Sequence, residues 1–179
     1  MTFFLLPPFM LMPILVTEHV GGDVLKLGWL QSAFGLGMIA GGLILGVWGG
    51  FKRRIITCLM GILIASLATL TMGFTSTRLF FLGLVSSFLI GGGISIADGP
   101  IMASLQAMVP KDIQGRIFSL INSISSAITP LGLAFAGPLA DAIGIQAIYF
   151  IAGAATLVAG IASFFIRPLM ELERKTAEP

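Results

Sequence analysis

The sequence predicts an all-α membrane protein with six transmembrane helices. Of its 179 residues, 56% are hydrophobic and 10% are charged, and the mean hydropathy is +1.04, which leaves too little polar surface for a water-soluble globule. Because a bilayer offers no water to the backbone, each apolar run must form its hydrogen bonds internally, as a helix does. All runs but the first reach the length of about 20 residues that crosses the hydrocarbon. The six runs are 1–16, 27–51, 55–74, 79–109, 117–140 and 145–166.

The positive charges predict which way the helices run. Eight of the ten Lys and Arg residues lie in three groups, after the second, fourth and sixth apolar runs. The opposite side keeps only Lys26 and Arg78. The positive-inside rule therefore predicts a protein of the cell membrane whose basic groups and tail, residues 168–179, are cytoplasmic. The three groups are Lys52, Arg53 and Arg54, then Lys111 and Arg116, then Arg167, Arg174 and Lys175.

The first run, 1–16, is predicted to be the second half of a transmembrane helix that is cut short. It begins without a flanking charge and contains Pro7, Pro8 and Pro13. A straight helix of about 16 residues spans only about 24 Å, less than the hydrocarbon core. A secretory signal peptide is not predicted, because it needs a basic stretch before the apolar one and the first basic residue is Lys26.

The second run carries small residues at steps that keep them on one helix face, and this face is predicted to admit another helix at close range. The third and sixth runs are apolar nearly all round, so they are predicted to lie against lipid. The small residues of the second run are Gly28, Ser32, Gly35, Gly42, Gly46 and Gly50.

The fourth run contains Asp98, an acidic residue within an apolar stretch. Ser87, Gly91 and Ser95 precede it at helical spacing, so the four share one face. A charge at a helix centre costs about 2.5–3.5 kcal/mol on insertion scales, and such residues usually face a bundle interior or an aqueous cavity. Gly99-Pro100 follows and weakens the helix locally, as in the broken helices of transport sites.

The fifth run also carries polar residues, within about a third of the helix circumference. We predict that they line a wet path together with those of the fourth run, although Ser and Thr could instead bond to their own helix or to neighbouring helices. The polar residues of the fifth run are Ser119, Asn122, Ser123, Ser126 and Thr129. The predicted translocation pathway consists of Gln31, Ser87, Ser95, Asp98, Asn122 and Ser126.

The six runs also divide into three plus three. The second ends in glycines on the cytoplasmic side, at Gly42, Gly46 and Gly50, whereas the fifth ends on the other side with Gly132 and Gly137. Corresponding elements thus point in opposite directions, which predicts two inverted three-helix repeats.

No metal or cofactor site is predicted. The single cysteine, Cys58, has no Cys or His partner at metal-ligand spacing, and His19 falls in a polar connector. An intramembrane enzyme is disfavoured because the sequence has no Ser/His pair and no HExxH motif. Nucleic-acid binding is also disfavoured, since the net charge of +2 comes from the cytoplasmic basic groups.

Two connectors resemble the major facilitator superfamily. Residues 46–54 read Gly-Val-Trp-Gly-Gly-Phe-Lys-Arg-Arg, similar to its glycine-rich helix end and basic cluster. Residues 109–118 resemble the Val-Pro-x-x-x-Gln-Gly-Arg segment of its macrolide-efflux-like branch. The resemblance covers the whole chain as the C-terminal half of a twelve-helix transporter. Its loop residues are Gly46, Gly50, Lys52, Arg53, Arg54, Pro110, Gln114, Gly115 and Arg116.

This chain departs from the first motif, because Gly49 or Gly50 stands where the family has Asp. A charge relay from that acid is therefore not carried over. The fifth run loosely resembles the Gly-Pro pattern of a pore-lining helix in such antiporters, and prolines kink helices. The residues predicted to form a gating hinge are Pro100, Pro130, Gly132, Gly137 and Pro138.

The resemblance implies proton-coupled efflux of drugs or other amphipathic small molecules by alternating access between two six-helix halves. The implied partners are the substrate, protons, membrane lipid, and an N-terminal half or a second copy of the chain. The alternative is a truncated half-transporter or membrane assembly protein with no transport of its own.

Overall fold

The structure is a computed structural model that describes residues 11–19, 24–51 and 54–165. Residues 1–10, Lys52, Arg53 and the predicted tail lie outside the described residues. A 3-10 turn at Thr77–Leu79 precedes the fourth helix. Within the described ranges the α-helices are α1 (Met12–His19), α2 (Val24–Trp48), α3 (Arg54–Met72), α4 (Phe80–Met108), α5 (Lys111–Ile143) and α6 (Ile145–Phe165).

Several helix boundaries differ from the apolar runs, and three of them have a clear local setting. Helix α1 continues through His19, which the sequence had placed in a connector. Helix α2 ends at Trp48 rather than at 51, because Gly49 and Gly50 adopt φ values of 74° and 73°, which end a helix. Helix α5 begins at Lys111 rather than at 117, with Pro110 at its N-cap. Proline lacks an N–H, but an N–H at the start of a helix has no intrahelical acceptor, so nothing is lost there.

Four helical segments in the described part of the chain are long and apolar enough to cross a membrane. Helix α5, with 33 residues, is long enough as well. The crossing of the bilayer by six helices and the inverted repeats therefore stay predictions. The four segments are Val24–Trp48, Ile55–Met72, Thr77–Gln106 and Ile145–Ala162.

Helix α4 lies between α2 and α3 and packs along both. It runs parallel to α2, because Gly91 meets Phe34 and Gly99 meets Leu45 farther along the chain. Glycine permits this approach: a β-carbon at Gly41 would lie 2.8 Å from the α-carbon of Gly92. We call the contact of α2 with α4 at Gly37, Gly41, Gly91 and Gly92 the glycine interface.

The glycine interface corrects the predicted packing face of α2. Glycines 28, 35 and 46 have open space where a β-carbon would lie, and Gly42 meets only the Ser95 hydroxyl. The glycines that approach the backbone of α4 are Gly37 and Gly41 instead. The physical reason is that close approach needs small residues on both helices, and Gly92 of α4 faces these two positions.

Helix α3 is not the lipid-facing helix that the sequence predicted, because it packs against α4 on one side and α6 on the other. A β-carbon at Gly93 of α4 would lie 2.7 Å from Gly61 O, and one at Gly153 of α6 would lie 2.8 Å from Leu70 Cγ. Buried hydroxyl groups in α3 are compatible with apolar surroundings since they bond to their own helix. For example, Thr69 Oγ1 donates to Ala65 O at 2.8 Å.

The two ends of the bundle differ in packing. At the closed end, where α4 begins and α5 ends, ten buried residues form an apolar core. At the open end, where α4 ends and α5 begins, Ile101, Met102 and Met108 are exposed, as is most of residues 111–127. The closed-end core consists of Leu11, Met12, Leu15, Val16, Leu30, Met72, Ala140, Ile145, Ile148 and Tyr149.

Candidate translocation site

Asp98 is exposed on the open-end half of α4, and most other residues of that helix are apolar or small. Ser95, one turn earlier, is half-buried where α4 meets α2. A β-carbon at Gly42 of α2 would lie 3.4 Å from Ser95 Oγ. The residues on either side of Asp98 contact different helices: a β-carbon at Gly61 of α3 would lie 2.6 Å from Ala97 N, and one at Gly99 would meet Leu45 Cδ2 of α2. Asp98 therefore lies on α4 between its contact with α2 and its contact with α3.

Ser87 does not share this exposure. Its side chain is fully buried, and Ser87 Oγ donates to Met72 Sδ of α3 at 4.0 Å. The Thr75 hydroxyl donates to the same sulfur at 3.8 Å. Ser87 thus lies at the closed end, shielded by α3, while Asp98 on the same helix face is open.

Three predicted pathway residues are exposed on α2 and α5. Gln31 lies on α2, on the side that carries Gly28 and Gly35, where no neighbouring atom would meet a β-carbon. Asn122 and Ser126 lie on α5, whose main contact is with α6. Apolar residues of the same stretch, Leu120 and Ile124, are exposed too, so this part of α5 is uncovered on several sides.

The connector between α2 and α3 is held by a residue that the motif does not contain. The Phe51 N–H donates to Thr57 Oγ1 at 2.8 Å, and Thr57 is only 1% exposed. The Phe51 ring packs edge-on against Trp48 with a centroid distance of 4.6 Å. Sequence spacing gave no signal for Thr57, because a lone Thr in the first turn of a helix is common. The hydroxyl fixes the turn in a chain that lacks the family's acid.

The connector between α4 and α5 is held by Gln114. Its Nε2 donates to Gln106 O at 2.9 Å and to Val109 O at 3.0 Å. Gly115 and Arg116, which follow it in the motif, are exposed. The motif was recognised from the sequence, but the role of its glutamine as a donor to the preceding helix was not.

The predicted hinge residues lie within continuous helices. Helix α4 passes through Pro100 without interruption, and Ser104 Oγ donates to Pro100 O at 2.8 Å. Pro100 has no N–H, so it cannot donate to the carbonyl one turn earlier. The backbone of α5 is helical at the other four positions, Pro130, Gly132, Gly137 and Pro138.

Comparison with known proteins agrees with the resemblance seen in the sequence. The sequence profile of the Major Facilitator Superfamily matches residues 1–179. Macrolide efflux protein A of Streptococcus pyogenes is 26% identical over 173 residues, which cover 97% of this chain and 43% of that protein. The corresponding protein of Enterococcus faecalis is 28% identical over 131 residues, covering 73% of this chain and 41% of that protein.

A further relative is the multidrug efflux pump Tap of Mycolicibacterium fortuitum. It is 31% identical over 153 residues, which cover 83% of this chain and 36% of that protein. The chain thus spans less than half the length of these curated relatives. No solved structure matches it. The apolar helices and these relatives identify a multi-pass membrane protein of a transporter type.

Proposed function

The chain belongs to the Major Facilitator Superfamily, and from this membership we propose that it is the C-terminal six-helix half of a drug exporter. The substrates are drugs or other amphipathic small molecules, moved by alternating access and driven by protons. Support comes from the names of the relatives, macrolide efflux protein A and multidrug efflux pump Tap. Their lengths are also in keeping with a half, since the chain covers 43% and 36% of them. The alternative of an assembly protein without transport has no such support.

The proposal of proton coupling rests on the exposure of Asp98. It is the one ionisable side chain of α4 and is exposed, and its neighbours Ile101 and Met102 are 44% and 41% exposed. A carboxylate at this depth costs about 2.5–3.5 kcal/mol, a cost that is offset where the group binds a proton or faces water. In the proposed cycle Asp98 takes up a proton when the cavity opens to one side and releases it to the other.

The remaining pathway residues are proposed to bind the substrate through hydrogen bonds beside this acid. Gln31, Ser95, Asn122 and Ser126 are all exposed or half-buried, which suits side chains that face a cavity. Ser87 is proposed to join them only when the closed end opens, because Met72 covers it. A drug-sized ligand would then meet apolar surface with a few polar groups, as in most small-molecule sites.

The partner is proposed to be the N-terminal half, or a second copy of this chain in its place. Helix α2 has exposed apolar side chains, among them Leu36 at 60% and Leu43 at 65%, beside the exposed Gln31. Polar groups on such a surface are costly against lipid, so covering them with another bundle is favourable. The open end is proposed to face the cytoplasm, because it carries the exposed Lys111 and Arg116.

The test of coupling uses the complete transporter in everted membrane vesicles. Asp98→Asn removes the titratable group with little change in size, and we expect loss of the uptake of a fluorescent drug that depends on the pH gradient. The matched control is Asp112→Asn, an exposed acid in the first turn of α5, which should transport normally. If Asp98→Asn keeps both its rate and its pH dependence at equal membrane levels, the acid has no part in coupling.

A further inference from the structure

We propose that Gln114 is a positioning residue that fixes the direction in which α5 leaves α4. The proposal rests on the proposed function in one respect, that Asn122 and Ser126 of α5 belong to the pathway. Its basis is the pair of hydrogen bonds from one side-chain amide to the end of the preceding helix.

These bonds replace a donor that the backbone lacks. In a continuing helix, Gln106 O would accept the N–H of residue 110, four positions later. Residue 110 is proline and has no N–H. The Gln114 amide supplies the missing hydrogen to Gln106 O at 2.9 Å. Its second hydrogen goes to Val109 O at 3.0 Å, so both hydrogens of one group cross the break between the helices.

Side-chain packing around this joint is sparse. After Pro100, helix α4 exposes Ile101, Met102 and Met108, the last at 66%. On α5, most side chains from Lys111 to 127 are exposed. The apolar contacts that fix helix angles elsewhere in the bundle are therefore few here, and the hydrogen bonds of Gln114 set the geometry.

The consequence for transport follows from the position of the joint. Helix α5 begins at Lys111, directly after Pro110, so a small change of direction there moves Asn122 and Ser126 by a distance that grows along the helix. Gln114 thereby determines where these side chains lie relative to Asp98. The proposal is about geometry, and it can be tested without a substrate.

The experiment measures the angle between the helices by electron spin resonance. Cys58 is the only cysteine of the sequence, so the single substitution Cys58→Ser gives a cysteine-free background for spin labelling. Spin labels at exposed positions Ala103 of α4 and Ile124 of α5 report the distance across the joint. A second pair, at Leu43 of α2 and Val85 of α4, reports the body of the bundle. The full chain is placed in lipid nanodiscs and diluted with unlabelled chain, so that only distances within one molecule are recorded.

Three substitutions separate hydrogen bonding from side-chain size. Gln114→Glu keeps the shape but removes both donors, and its negative charge faces the carbonyls of a helix end. Gln114→Leu keeps much of the volume and has no polar group. Gln114→Lys differs in shape yet donates to carbonyls at a helix C-terminus, where cations are favoured. If hydrogen bonds set the angle, Lys preserves the wild-type distance while Glu and Leu do not.

We expect the population at the wild-type Ala103–Ile124 distance to fall about tenfold relative to other distances in Gln114→Glu, as the loss of two hydrogen bonds implies. Gln114→Lys should restore it, and the Leu43–Val85 distance should be the same in all variants. A wild-type distance distribution in Gln114→Glu would overturn the proposal. A wild-type distribution in Gln114→Leu together with a broad distribution in Gln114→Lys would also overturn it. Since no gradient or substrate is used, a chain that transports nothing gives the same readout, which separates this claim from the proposed function.

Discussion

The closed end and the open end of this bundle consist of the same kinds of helix, but side chains are buried at the closed end and exposed at the open end. At the closed end, residues from five helices are buried against one another, among them Leu15, Leu30 and Tyr149. At the open end, Asp98 is exposed and the first turns of α5 have few neighbours. In a bilayer, apolar side chains gain little by leaving lipid for protein, so helices associate through packing and hydrogen bonds. The closed end therefore holds the bundle together, and the open end leaves exposed the acid that we propose for proton coupling.

From this difference in packing we predict which substitutions should reduce stability and which should leave stability unchanged and affect only the proposed transport. Close backbone contacts and buried side chains lie in the glycine interface, in the contacts of α3 and in the closed-end core. Of the residues proposed for the pathway, Gln31, Asp98, Asn122 and Ser126 are exposed and lie outside these regions. The comparison is tested by paired substitutions, each with one member in a packed region and one at an exposed position.

The largest effect is expected for Gly93→Leu in α4. A β-carbon there would lie 2.7 Å from Gly61 O and 2.8 Å from Ala65 N, both backbone atoms of α3 that have little room to move. We expect a loss of about 3 kcal/mol or more in the free energy of unfolding, measured by detergent denaturation in bicelles. The control Gly35→Leu on α2 has no atom within 4 Å of the added carbon. It should be neutral or, through helix propensity, stabilising by up to about 1 kcal/mol. Equal losses for both would contradict the packing described.

A smaller effect is expected for Tyr149→Ala in α6. Its side chain is 2% exposed in the closed-end core, and removing a buried aromatic ring leaves a cavity. We expect a loss of about 3 kcal/mol, the low end of the range for buried aromatic residues, because in a bilayer the ring gains little by leaving lipid for protein. The same denaturation assay measures it. Phe81→Ala, 76% exposed on α4, is the matched aromatic control and should change stability by about 0.5 kcal/mol or less. A stable Tyr149→Ala protein would mean that the closed end is not what holds the bundle.

The smallest effect is expected for Ser86→Ala. Ser86 is 1% exposed, and its hydroxyl lies 2.8 Å from Thr71 Oγ1, forming a hydrogen bond between α4 and α3. Hydrogen bonds between transmembrane helices are worth about 0.6 kcal/mol on average, and a loss of that size is expected in the same assay. Ser123→Ala, exposed on α5, should cause no measurable loss. A loss at Ser123 equal to that at Ser86 would show that the open end is packed in solution.

Much of the helical order could be predicted from the apolar runs. The fourth run, 79–109, agrees closely with Phe80–Met108, and the sixth, 145–166, with Ile145–Phe165. Such agreement is expected, since length and hydropathy are properties of one segment and need no knowledge of neighbours. The family could be identified for a similar reason, because its motifs are local in sequence.

Features that depend on two segments could not be predicted in this way. Glycine spacing selected Gly28, Gly35 and Gly46 of α2, although Gly37 and Gly41 are the ones that approach the backbone of α4. A spacing shows which residues share a face and contains nothing about the helix on the other side. The same holds for the hydroxyl of Thr57 and the amide of Gln114, whose partners are backbone groups five to eight residues away across a helix break.

The glycine interface also has a thermal consequence. Its contacts are between backbones, with a β-carbon at Gly41 excluded by the α-carbon of Gly92 at 2.8 Å. Separating α2 from α4 in a bilayer exposes them to lipid chains and not to water, whereas the heat capacity of unfolding arises from the hydration of apolar surface. The separation of this helix pair should therefore have a heat-capacity change near zero. Its free energy should vary almost linearly with temperature, without the curvature that weakens the packing of water-soluble cores in the cold.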